Sequence, residues 1–231
     1  MTISYIIPVY NESRTVKKSI EDIINLPIDK EIIIIDNGSN DGSVEIIEKF
    51  KGLKNIKLIT KKKNLGFGDT IQKGFDLSTG KYIFIQYADL EYDHLSSITM
   101  YDLAIQNNYD VVFGSRLLNN KNLFKLIIKK PSYLATIICT FLINIFYKKN
   151  FTDIIGTKLY KTETVKNILP KIKGPGFDFE FVSLICKNKL STKEIFVDYV
   201  PREISSEKKI KFYHMFNALY GIFKVKFFNF F

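Results

Sequence analysis

Two carboxylates stand two residues apart where an apolar stretch of the sequence ends. Residues 82–86 have the pattern of a buried strand, and Asp89 and Glu91 follow it almost at once. Side chains at positions i and i+2 of an extended segment point the same way, so this pair could bind one divalent cation or a cluster of sugar hydroxyls. The pair predicts a binding site, and a solvated acidic loop is the plain alternative.

The elements before this pair would position it at one edge of a sheet. Strand patterns alternate with helix patterns and short loops, which predicts a doubly wound α/β domain. Polar or glycine-rich segments follow the three earlier strands, at 7–12, 36–43 and 64–68. In open α/β sheets, ligands bind beyond the carboxyl ends of the strands. The four loops therefore predict one binding crevice.

Length and composition predict one domain. The chain has 231 residues and no linker rich in Pro, Gly or Ser, so residues 1–231 are expected to form a single unit. Cys139 and Cys186 lie in apolar contexts without the spacing of metal ligands, which predicts reduced core thiols. No basic segment or cleavage site precedes the first strand pattern, so we expect a cytoplasmic protein.

Charge is distributed unevenly along the chain. Residues 1–110 carry 13 basic and 16 acidic side chains, a net charge of −3, whereas residues 111–231 carry 21 basic and 8 acidic side chains, a net charge of +13. Lysine-rich composition accounts for the total of +10 but not for this asymmetry. The second half therefore predicts an anionic partner, such as nucleic acid, acidic lipid headgroups or a phosphorylated substrate.

Two apolar segments in the second half suit a membrane surface. Residues 131–147 carry no charge and are bracketed by lysines, and one helical stripe of them is polar: Ser132, Thr136, Thr140 and Asn144. This pattern fits a helix at a membrane interface, a helix packed on protein or, at the short limit, a membrane span. Residues 211–231 combine nine Phe or Tyr with lysines, which suits a headgroup layer or a docked terminal helix.

The motifs, in their order and spacing, resemble the family 2 glycosyltransferases, and most of all the polyprenyl-phosphate (dolichol-phosphate-type) mannosyl- and glucosyltransferases. The resemblance covers about residues 3–210, and later segments fit it too: 111–116, 152–158, 176–180, 200–202 and 208–209. It implies the α/β GT-A fold, a doubly wound mixed sheet flanked by helices. Residues 1–110 would form a nucleotide-sugar-binding half. Residues 111–210 would form an acceptor-binding half, with interfacial helices at 122–149. Residues 211–231 would form a C-terminal aromatic and basic helix.

The resemblance also implies a donor site for a UDP- or GDP-linked sugar. Glu12 would accept hydrogen bonds from ribose hydroxyls, and Asp36 with Asn37 would meet the base. Asp89 and Glu91 would hold Mg²⁺ or Mn²⁺ on the diphosphate, whose leaving charge needs neutralising. The full implied donor set is Pro8, Tyr10, Glu12, Asp36, Asn37, Gly66, Lys73, Ala88 and Asp89.

The implied acceptor is a polyprenyl phosphate at a membrane, not a nucleic acid. A lipid phosphate is already ionised near neutral pH, so it needs cations rather than a general base. Arg116 and Arg202, helped by Lys158, would grip it, and Asp153 and Glu180 match acceptor-side positions. The catalytic set is then Asp89, Glu91, Arg116 and Arg202. Contact with a second copy of the chain stays open.

Two positions depart from the family pattern. Tyr87 stands where the first Asp of the usual Asp-x-Asp is found, which bears on metal affinity, and Asn37 replaces the second residue of an Asp-Asp pair, which bears on base preference. Two other functions stay open: transfer to a glycan or protein hydroxyl, and a non-catalytic nucleotide-binding relative. Dinucleotide oxidation is disfavoured because no third glycine follows Gly66 and Gly68 at the needed spacing.

Overall fold

The protein, seen here in a computed structural model, is described over residues 2–119, 132–174, 176–201 and 213–228. Within these ranges the strands are β1 (Ile3–Val9), β2 (Lys30–Asp36), β3 (Ile56–Thr60), β4 (Tyr82–Ile85), β5 (Val111–Ser115), β6 (Lys158–Lys161) and β7 (Thr192–Phe196). They form one sheet in the order β3-β2-β1-β4-β6-β5-β7. Strand β6 is antiparallel to both of its neighbours and the other pairs are parallel, which confirms the predicted mixed sheet.

Helices cover both faces of this sheet. They are α1 (Val16–Ile24), α2 (Ser43–Ile47), α3 (Phe67–Leu77), α4 (Ser96–Asn107), α5 (Ser132–Tyr147), α6 (Thr162–Val165), α7 (Phe177–Lys187) and α8 (Tyr213–Phe227), with 3₁₀ turns at Glu48–Phe50 and Lys166–Ile168. Apolar side chains of α1, α2 and α4 pack on one face, and those of α3, α5, α7 and α8 pack on the other. Strand β1 is therefore apolar at every position except Ser4, and β2 has four successive isoleucines at its centre, as expected of strands buried on both faces.

A crevice opens where the strand order reverses. Strand β1 lies between β2 and β4, and its ladder with β4 ends at Ile6 paired with Ile85, whereas its ladder with β2 continues to Val9. Pro8, which has no backbone N–H to donate, lies in the stretch that β4 leaves unpaired. The carboxyl ends of β1 and β4 thus separate at the place where open α/β sheets bind ligands.

The polar stripe of helix α5 faces the protein interior. Thr136 and Thr140 are buried, and the Asn144 side chain exchanges hydrogen bonds with the backbone N–H and C=O of Phe151, at 2.9 and 2.8 Å. None of the helices in the described part of the chain combines the length and apolarity that a membrane span requires. Along this stripe the helix packs on the protein, which is one of the three alternatives that the sequence leaves open for residues 131–147.

Cys139 and Cys186 are free and buried, as expected of core thiols. Strands β6 and β7 were not predicted from the sequence; they are short, and β7 is only partly buried. Several predicted features lie outside the described residues: Arg202, 208–209, the first part of the segment 122–149 and the ends of 211–231.

Candidate active site

The crevice between β1 and β4 holds a cleft of about 310 Å³. The ends of four parallel strands, the loops that follow them and the start of α3 line it: Pro8, Val9, Tyr10, Glu12, Asn37, Asn64, Phe67, Thr70, Tyr87, Ala88 and Asp89. Six of the nine residues predicted to bind the donor belong to this lining. Phe67 and Thr70, which the motifs did not predict as site residues, lie on the first turn of the helix that the glycine-rich segment opens.

Asp36 builds the loop after β2 instead of lining the cleft. Its carboxylate is buried and accepts hydrogen bonds from the backbone N–H groups of Gly38, at 2.9 Å, and Ser39, at 3.1 Å. Gly38 has a left-handed φ of 80°, and a Cβ atom there would lie 2.6 Å from the carbonyl carbon of Lys63. The Asp36 side chain therefore shapes a tight turn, and its predicted contact with the base has no support from its position.

Asn37 ties this turn to the loop before α3. Its amide nitrogen donates to Asn64 Oδ1 at 2.9 Å, and its Oδ1 accepts from the backbone N–H of Leu65 at 3.1 Å. Gly66, in the same loop, has a φ of 96° and leaves no room for a Cβ, which would lie 2.5 Å from the Lys173 carbonyl oxygen. The amide that replaces the usual carboxylate thus holds two cleft-forming loops together.

The loop after β1 supplies the opposite wall. Tyr10 is 42% exposed at the mouth of the cleft, and Glu12 is buried within it. The Glu12 backbone N–H donates to Ser43 Oγ at 2.9 Å, and the Thr15 hydroxyl donates to a Glu12 carboxylate oxygen at 3.2 Å. These contacts fix Glu12 where a carboxylate could accept hydrogen bonds from the hydroxyls of a bound ligand.

Aromatic rings form the inner wall of the cleft. Tyr87 stacks on Phe67 with ring centroids 5.9 Å apart and planes 11° apart, and Phe67 meets Phe177 edge-on. Burial raises the pKa of Tyr87 well above its usual value, and the neighbouring Asp178 carboxylate adds to this effect. The phenol therefore stays neutral near pH 7, so Tyr87 supplies no negative charge in place of the missing Asp.

Asp89 and Glu91 point to different places. The segment between them is a turn in which Leu90 has a left-handed φ of 61°, so the extended geometry expected from their spacing is wrong. Asp89 lines the cleft, whereas Glu91 accepts a hydrogen bond from the Tyr199 hydroxyl at 2.8 Å. A left-handed residue between them rotates the second side chain away from the first.

The residues at this edge fit a divalent cation that is shared with a ligand. No group of three or more His, Cys, Asp or Glu side chains gathers as a metal site in the described ranges. Mg²⁺ on a nucleotide commonly takes only one or two protein carboxylates, because phosphate oxygens and water complete its shell. Asp89 offers one such carboxylate from the cleft wall, and a diphosphate in the cleft would have to supply the other charged ligands.

Arg116 is held by a buried carboxylate beside this edge. Asp153 is fully buried and binds the guanidinium in the bidentate manner, with Nε to Oδ2 at 2.6 Å and a terminal nitrogen to Oδ1 at 3.0 Å. Burial alone would raise the pKa of Asp153, but the Arg116 charge and its hydrogen bonds hold that pKa below its usual value. Arg116 therefore has a fixed orientation, with further N–H groups not used by Asp153.

Two tyrosines enclose the Arg116 side chain. The guanidinium carbon lies 5.1 Å from the ring centroid of Tyr133 and 5.3 Å from that of Tyr199. Tyr199 is also the donor to Glu91, so this ring joins the loop after β4 to the arginine. A chain of contacts through Glu91 and Tyr199 thus connects the turn that contains Asp89 to Arg116. The Tyr199 contact escaped the sequence analysis, because nothing in the motif at 200–202 points to Tyr199.

Lys158 is buried near the ion pair of Arg116 and Asp153. Its ammonium donates to the Gly156 carbonyl at 2.9 Å and lies 3.6 Å from an oxygen of Asp178, and the side chain is 3% exposed. Burial lowers the pKa of Lys158, and the Asp178 and Asp153 carboxylates partly offset that effect. Lys158 is therefore held by partners inside the protein, and its buried side chain does not extend to the surface to grip a ligand phosphate directly.

Asp178 is a residue that the sequence analysis passed over. It lies in the first turn of α7, near Tyr87 and Lys158, with 17% of its side chain exposed. The motif at 176–180 contains both Asp178 and Glu180, and only Glu180 was singled out. Residues two apart on a helix face different directions, so the two carboxylates cannot serve one site.

Glu180 and Lys73 lie away from the cleft. The Glu180 carboxylate is buried, binding Lys224 of α8 at 2.8 Å and accepting from the backbone N–H of Ile172 at 2.7 Å. It anchors the C-terminal helix, so its predicted acceptor role has no support from its position. Lys73 lies on the exposed side of α3 and does not line the cleft, so the same holds for its predicted donor role.

Comparison with known proteins gives sequence matches over most of the chain. Residues 4–169 match the family described as Glycosyl transferase family 2. An uncharacterised protein of Methanocaldococcus jannaschii is 31% identical over 87% of this chain and 88% of its own length. The Dictyostelium discoideum dolichyl-phosphate β-glucosyltransferase is 28% identical over 97% of this chain and 74% of its own. The Borreliella burgdorferi cholesterol galactosyltransferase is 34% identical over 48% of this chain, which spans 31% of that protein.

Solved structures share the fold at lower identity. Glucosyl-3-phosphoglycerate synthase from Mycobacterium tuberculosis, in complex with Mn²⁺, UDP and phosphoglyceric acid, aligns with a TM-score of 0.71 at 14% identity, over 99% of this chain and 79% of its own. S. aureus TarS in complex with UDP-GlcNAc aligns with a TM-score of 0.66 at 15% identity, over 97% of this chain and 66% of its own. Together with the sheet order, these alignments confirm the expected fold.

Proposed function

The chain belongs to glycosyl transferase family 2 and is a glycosyltransferase, and we propose that it moves a hexose from a nucleotide-diphospho-sugar to a polyprenyl phosphate with inversion at the anomeric carbon. The observation that carries this proposal is the contact path from the donor cleft to a fixed arginine. Asp89 lines the cleft, and Glu91 reaches Tyr199, whose ring lies on Arg116. A carboxylate suited to a metal and a cation suited to an anionic acceptor therefore lie on neighbouring parts of one edge.

The donor is a UDP- or GDP-linked sugar held in the cleft. The nucleoside lies against Pro8 and Tyr10, with Glu12 accepting from its ribose hydroxyls, and the aromatic wall of Tyr87 and Phe67 bounds the inner side. Solved glycosyltransferases of the same fold carry UDP or UDP-GlcNAc, which supports this use of the cleft. The Asn37 amide is occupied by loop contacts, so backbone groups around it would select the base.

A divalent cation, Mg²⁺ or Mn²⁺, belongs with the donor diphosphate. When bound, the cation would neutralise negative charge on the leaving nucleotide. Asp89 would hold it from the cleft wall, and Glu91 could join only by giving up its hydrogen bond to Tyr199. The mycobacterial synthase of the same fold is complexed with Mn²⁺ and UDP, which is consistent with this assignment.

The acceptor is a lipid phosphate, and Arg116 is the group that orients it. A phosphate monoester is already ionised near pH 7, since its second pKa is about 6, so it can attack without a protein base. Arg116 has five N–H donors in a planar fork, of which Asp153 uses those on one edge. The remaining donors can hold a phosphate oxygen, and Lys158 adds positive charge behind them.

Two named relatives support a lipid acceptor. One is a dolichyl-phosphate glucosyltransferase and the other a cholesterol galactosyltransferase, so both names describe transfer of a sugar to a lipid. For this chain, a lipid acceptor implies work at a membrane surface, with the cytoplasmic face expected because nucleotide-sugar donors would be available there.

Transfer to a hydroxyl is the second candidate, and one observation favours it. A hydroxyl acceptor must lose a proton, so it needs a positioned base. Asp178 is a partly exposed carboxylate close to the cleft wall at Tyr87, although Lys158 lies 3.6 Å from it. An Asp178→Asn variant separates the candidates, because transfer to a hydroxyl would be abolished whereas transfer to a phosphate would persist at a lower rate, since the variant also removes the partner of Lys158.

The test is transfer of labelled hexose by the purified chain. UDP- and GDP-sugars are supplied with Mn²⁺ and either a polyprenyl phosphate in vesicles or soluble glycan acceptors. The proposal expects label in an organic-extractable product that is formed only with the lipid phosphate. Label only in water-soluble products would replace the lipid phosphate with a hydroxyl acceptor.

A further inference from the structure

Helix α5 exposes one continuous apolar stripe. Leu134, Ile138, Phe141 and Ile145 follow the spacing i, i+4, i+7 and i+11, and each is between 38% and 61% exposed. The opposite side of the helix carries the polar Thr136, Thr140 and Asn144, which face the protein. Helix α5 therefore buries a mixed face, in which Cys139 and Ile143 join the core beside these polar side chains, and leaves an apolar stripe on its outer side.

Helix α8 exposes a second stripe with the same spacing. Phe216, Tyr220, Phe223 and Phe227 again follow i, i+4, i+7 and i+11, and they are 38% to 64% exposed. The two stripes approach each other where Phe146 of α5 packs against the rings of Phe223 and Phe227 at 5.6 and 5.8 Å. We call these eight exposed residues of α5 and α8 the apolar face. Exposed apolar surface on two neighbouring helices marks an interaction site.

Charge around the apolar face favours an anionic partner. Neither helix contains an Asp or Glu, whereas Lys148 and Lys149 follow α5 and Lys226 lies in α8; Lys224 of α8 is paired with Glu180 and is not counted here. Lys226 lies over the rings of Phe146 and Tyr147, so it adds a cation beside the apolar side chains. A second copy of the chain would bring like charges together, whereas an anionic headgroup layer would pair with them.

The apolar face is continuous with the acceptor side of the active site. Tyr133, in the first turn of α5, encloses the Arg116 guanidinium, and its neighbour Leu134 begins the exposed stripe. Leu118, two residues after Arg116, is also 41% exposed. A surface that rests on lipid along α5 would therefore bring Arg116 close to the headgroup layer, where a lipid phosphate is found.

We propose that the apolar face of α5 and α8 docks the chain on an anionic phospholipid bilayer, with the aromatic and aliphatic side chains entering the headgroup boundary and the lysines pairing with lipid phosphates. The inference deepens the proposed function and rests on it only for the identity of the acceptor, because docking can be measured without any transfer.

The test is co-sedimentation of the purified chain with vesicles of phosphatidylcholine, with and without phosphatidylglycerol. We expect binding to the anionic vesicles that weakens as salt rises. The double variant Phe141→Gln with Tyr220→Gln should weaken binding about 10- to 100-fold, because one large apolar side chain is removed from each helix. The matched control is Leu53→Gln with Ile105→Gln, which changes two apolar residues that are about half exposed and lie outside the apolar face, and it should bind as the unaltered chain does.

A charge variant tests the choice of partner. Lys148→Glu with Lys226→Glu should weaken binding to the anionic vesicles more than binding to pure phosphatidylcholine, and Lys51→Glu, far along the chain, should not. Failure of the unaltered chain to bind anionic vesicles would overturn the proposal. So would a dimer in solution that the Phe141 and Tyr220 changes dissociate, since the apolar face would then join two copies.

Transfer to a short-chain, water-soluble prenyl phosphate separates this inference from the proposed function. Vesicle binding without any transfer to lipid phosphate would remove the proposed acceptor and leave the docking face intact. Transfer to the short-chain phosphate without vesicle binding would remove the docking face and leave the proposed acceptor intact.

Discussion

The proposed donor cleft and the proposed acceptor side of this enzyme are built by different kinds of interaction. Beside the cleft, the buried Asp36 carboxylate is satisfied by backbone N–H groups of its own turn, and the neutral Asn37 amide bridges two loops. Buried ions form the acceptor side, where Asp153 holds Arg116 and Asp178 lies near Lys158. The difference suggests that the cleft depends on loop shape, whereas the acceptor side depends on charge balance.

The largest effect is expected when the buried ion pair is broken. Asp153→Asn keeps the shape of the side chain but leaves the Arg116 charge uncompensated in a buried site, which should lower the free energy of unfolding by about 3–5 kcal/mol. The matched donor-side change, Asp36→Asn, only weakens hydrogen bonds to a turn and should cost about 0.5–1.5 kcal/mol. Urea unfolding of both variants measures the contrast, and equal losses would remove the distinction between the two regions.

Loss of the cleft carboxylate should act on catalysis and not on folding. Asp89→Asn can still accept the hydrogen bond from the backbone N–H of Glu91 but removes the charge that would hold a cation. We expect kcat to fall about 10²- to 10³-fold, the range found when one charge-stabilising group is removed. Asp76→Asn, an exposed carboxylate on α3, is the control. Full activity of the Asp89 variant would refute its role on the diphosphate.

The tyrosine between the two regions should have a smaller and one-sided effect. Tyr199→Phe keeps the ring beside Arg116 and removes the hydroxyl that donates to Glu91. Losing one hydrogen bond to a charged group should raise the KM for the acceptor about tenfold, because Tyr199 is less firmly placed against Arg116. The KM for the donor is measured in parallel. Equal rises in both constants would show that Tyr199 does not act on the acceptor side in particular.

The smallest effect is expected at the position that departs from the family pattern. The pKa of Tyr87 is raised well above its usual value by burial, so the hydroxyl is neutral at working pH and is a weak candidate for a metal ligand. Tyr87→Phe should therefore keep the stacked ring and change kcat by less than about threefold. A titration with Mn²⁺ checks this, and a weaker response to the metal would make the hydroxyl part of the cation site.

Much of the donor side could be predicted from local sequence. The alternation of strands and helices located the loops at 7–12 and 64–68, and their residues do meet in one cleft. Local sequence did not reveal that Leu90 takes a left-handed backbone, which separates Asp89 from Glu91. A non-glycine residue adopts that conformation only when surrounding contacts favour it, and here Glu91 is drawn to Tyr199, 108 positions away.

The acceptor side was predictable only as a set of residues. Arg116 and Asp153 were both named, but their pairing with each other depends on two loops that lie 37 positions apart in the chain. Glu180 was expected near the acceptor, yet it binds Lys224 of α8, because its helix turns that side chain toward the C-terminal helix. The sequence identifies which residues are charged, whereas the packing of helices and loops determines which charged residues pair.

The sequence by itself determined that polar loops would gather at one sheet edge. Successive strand–helix–strand units place neighbouring strands parallel, so their carboxyl ends lie at the same edge of the sheet regardless of how the side chains pack. Only the tertiary structure decided which charged groups would be buried and paired, and which face of α5 would meet solvent. Burying a charge costs free energy, and a nearby partner of opposite charge offsets part of that cost. Both depend on neighbours in three dimensions, which residue order alone does not specify.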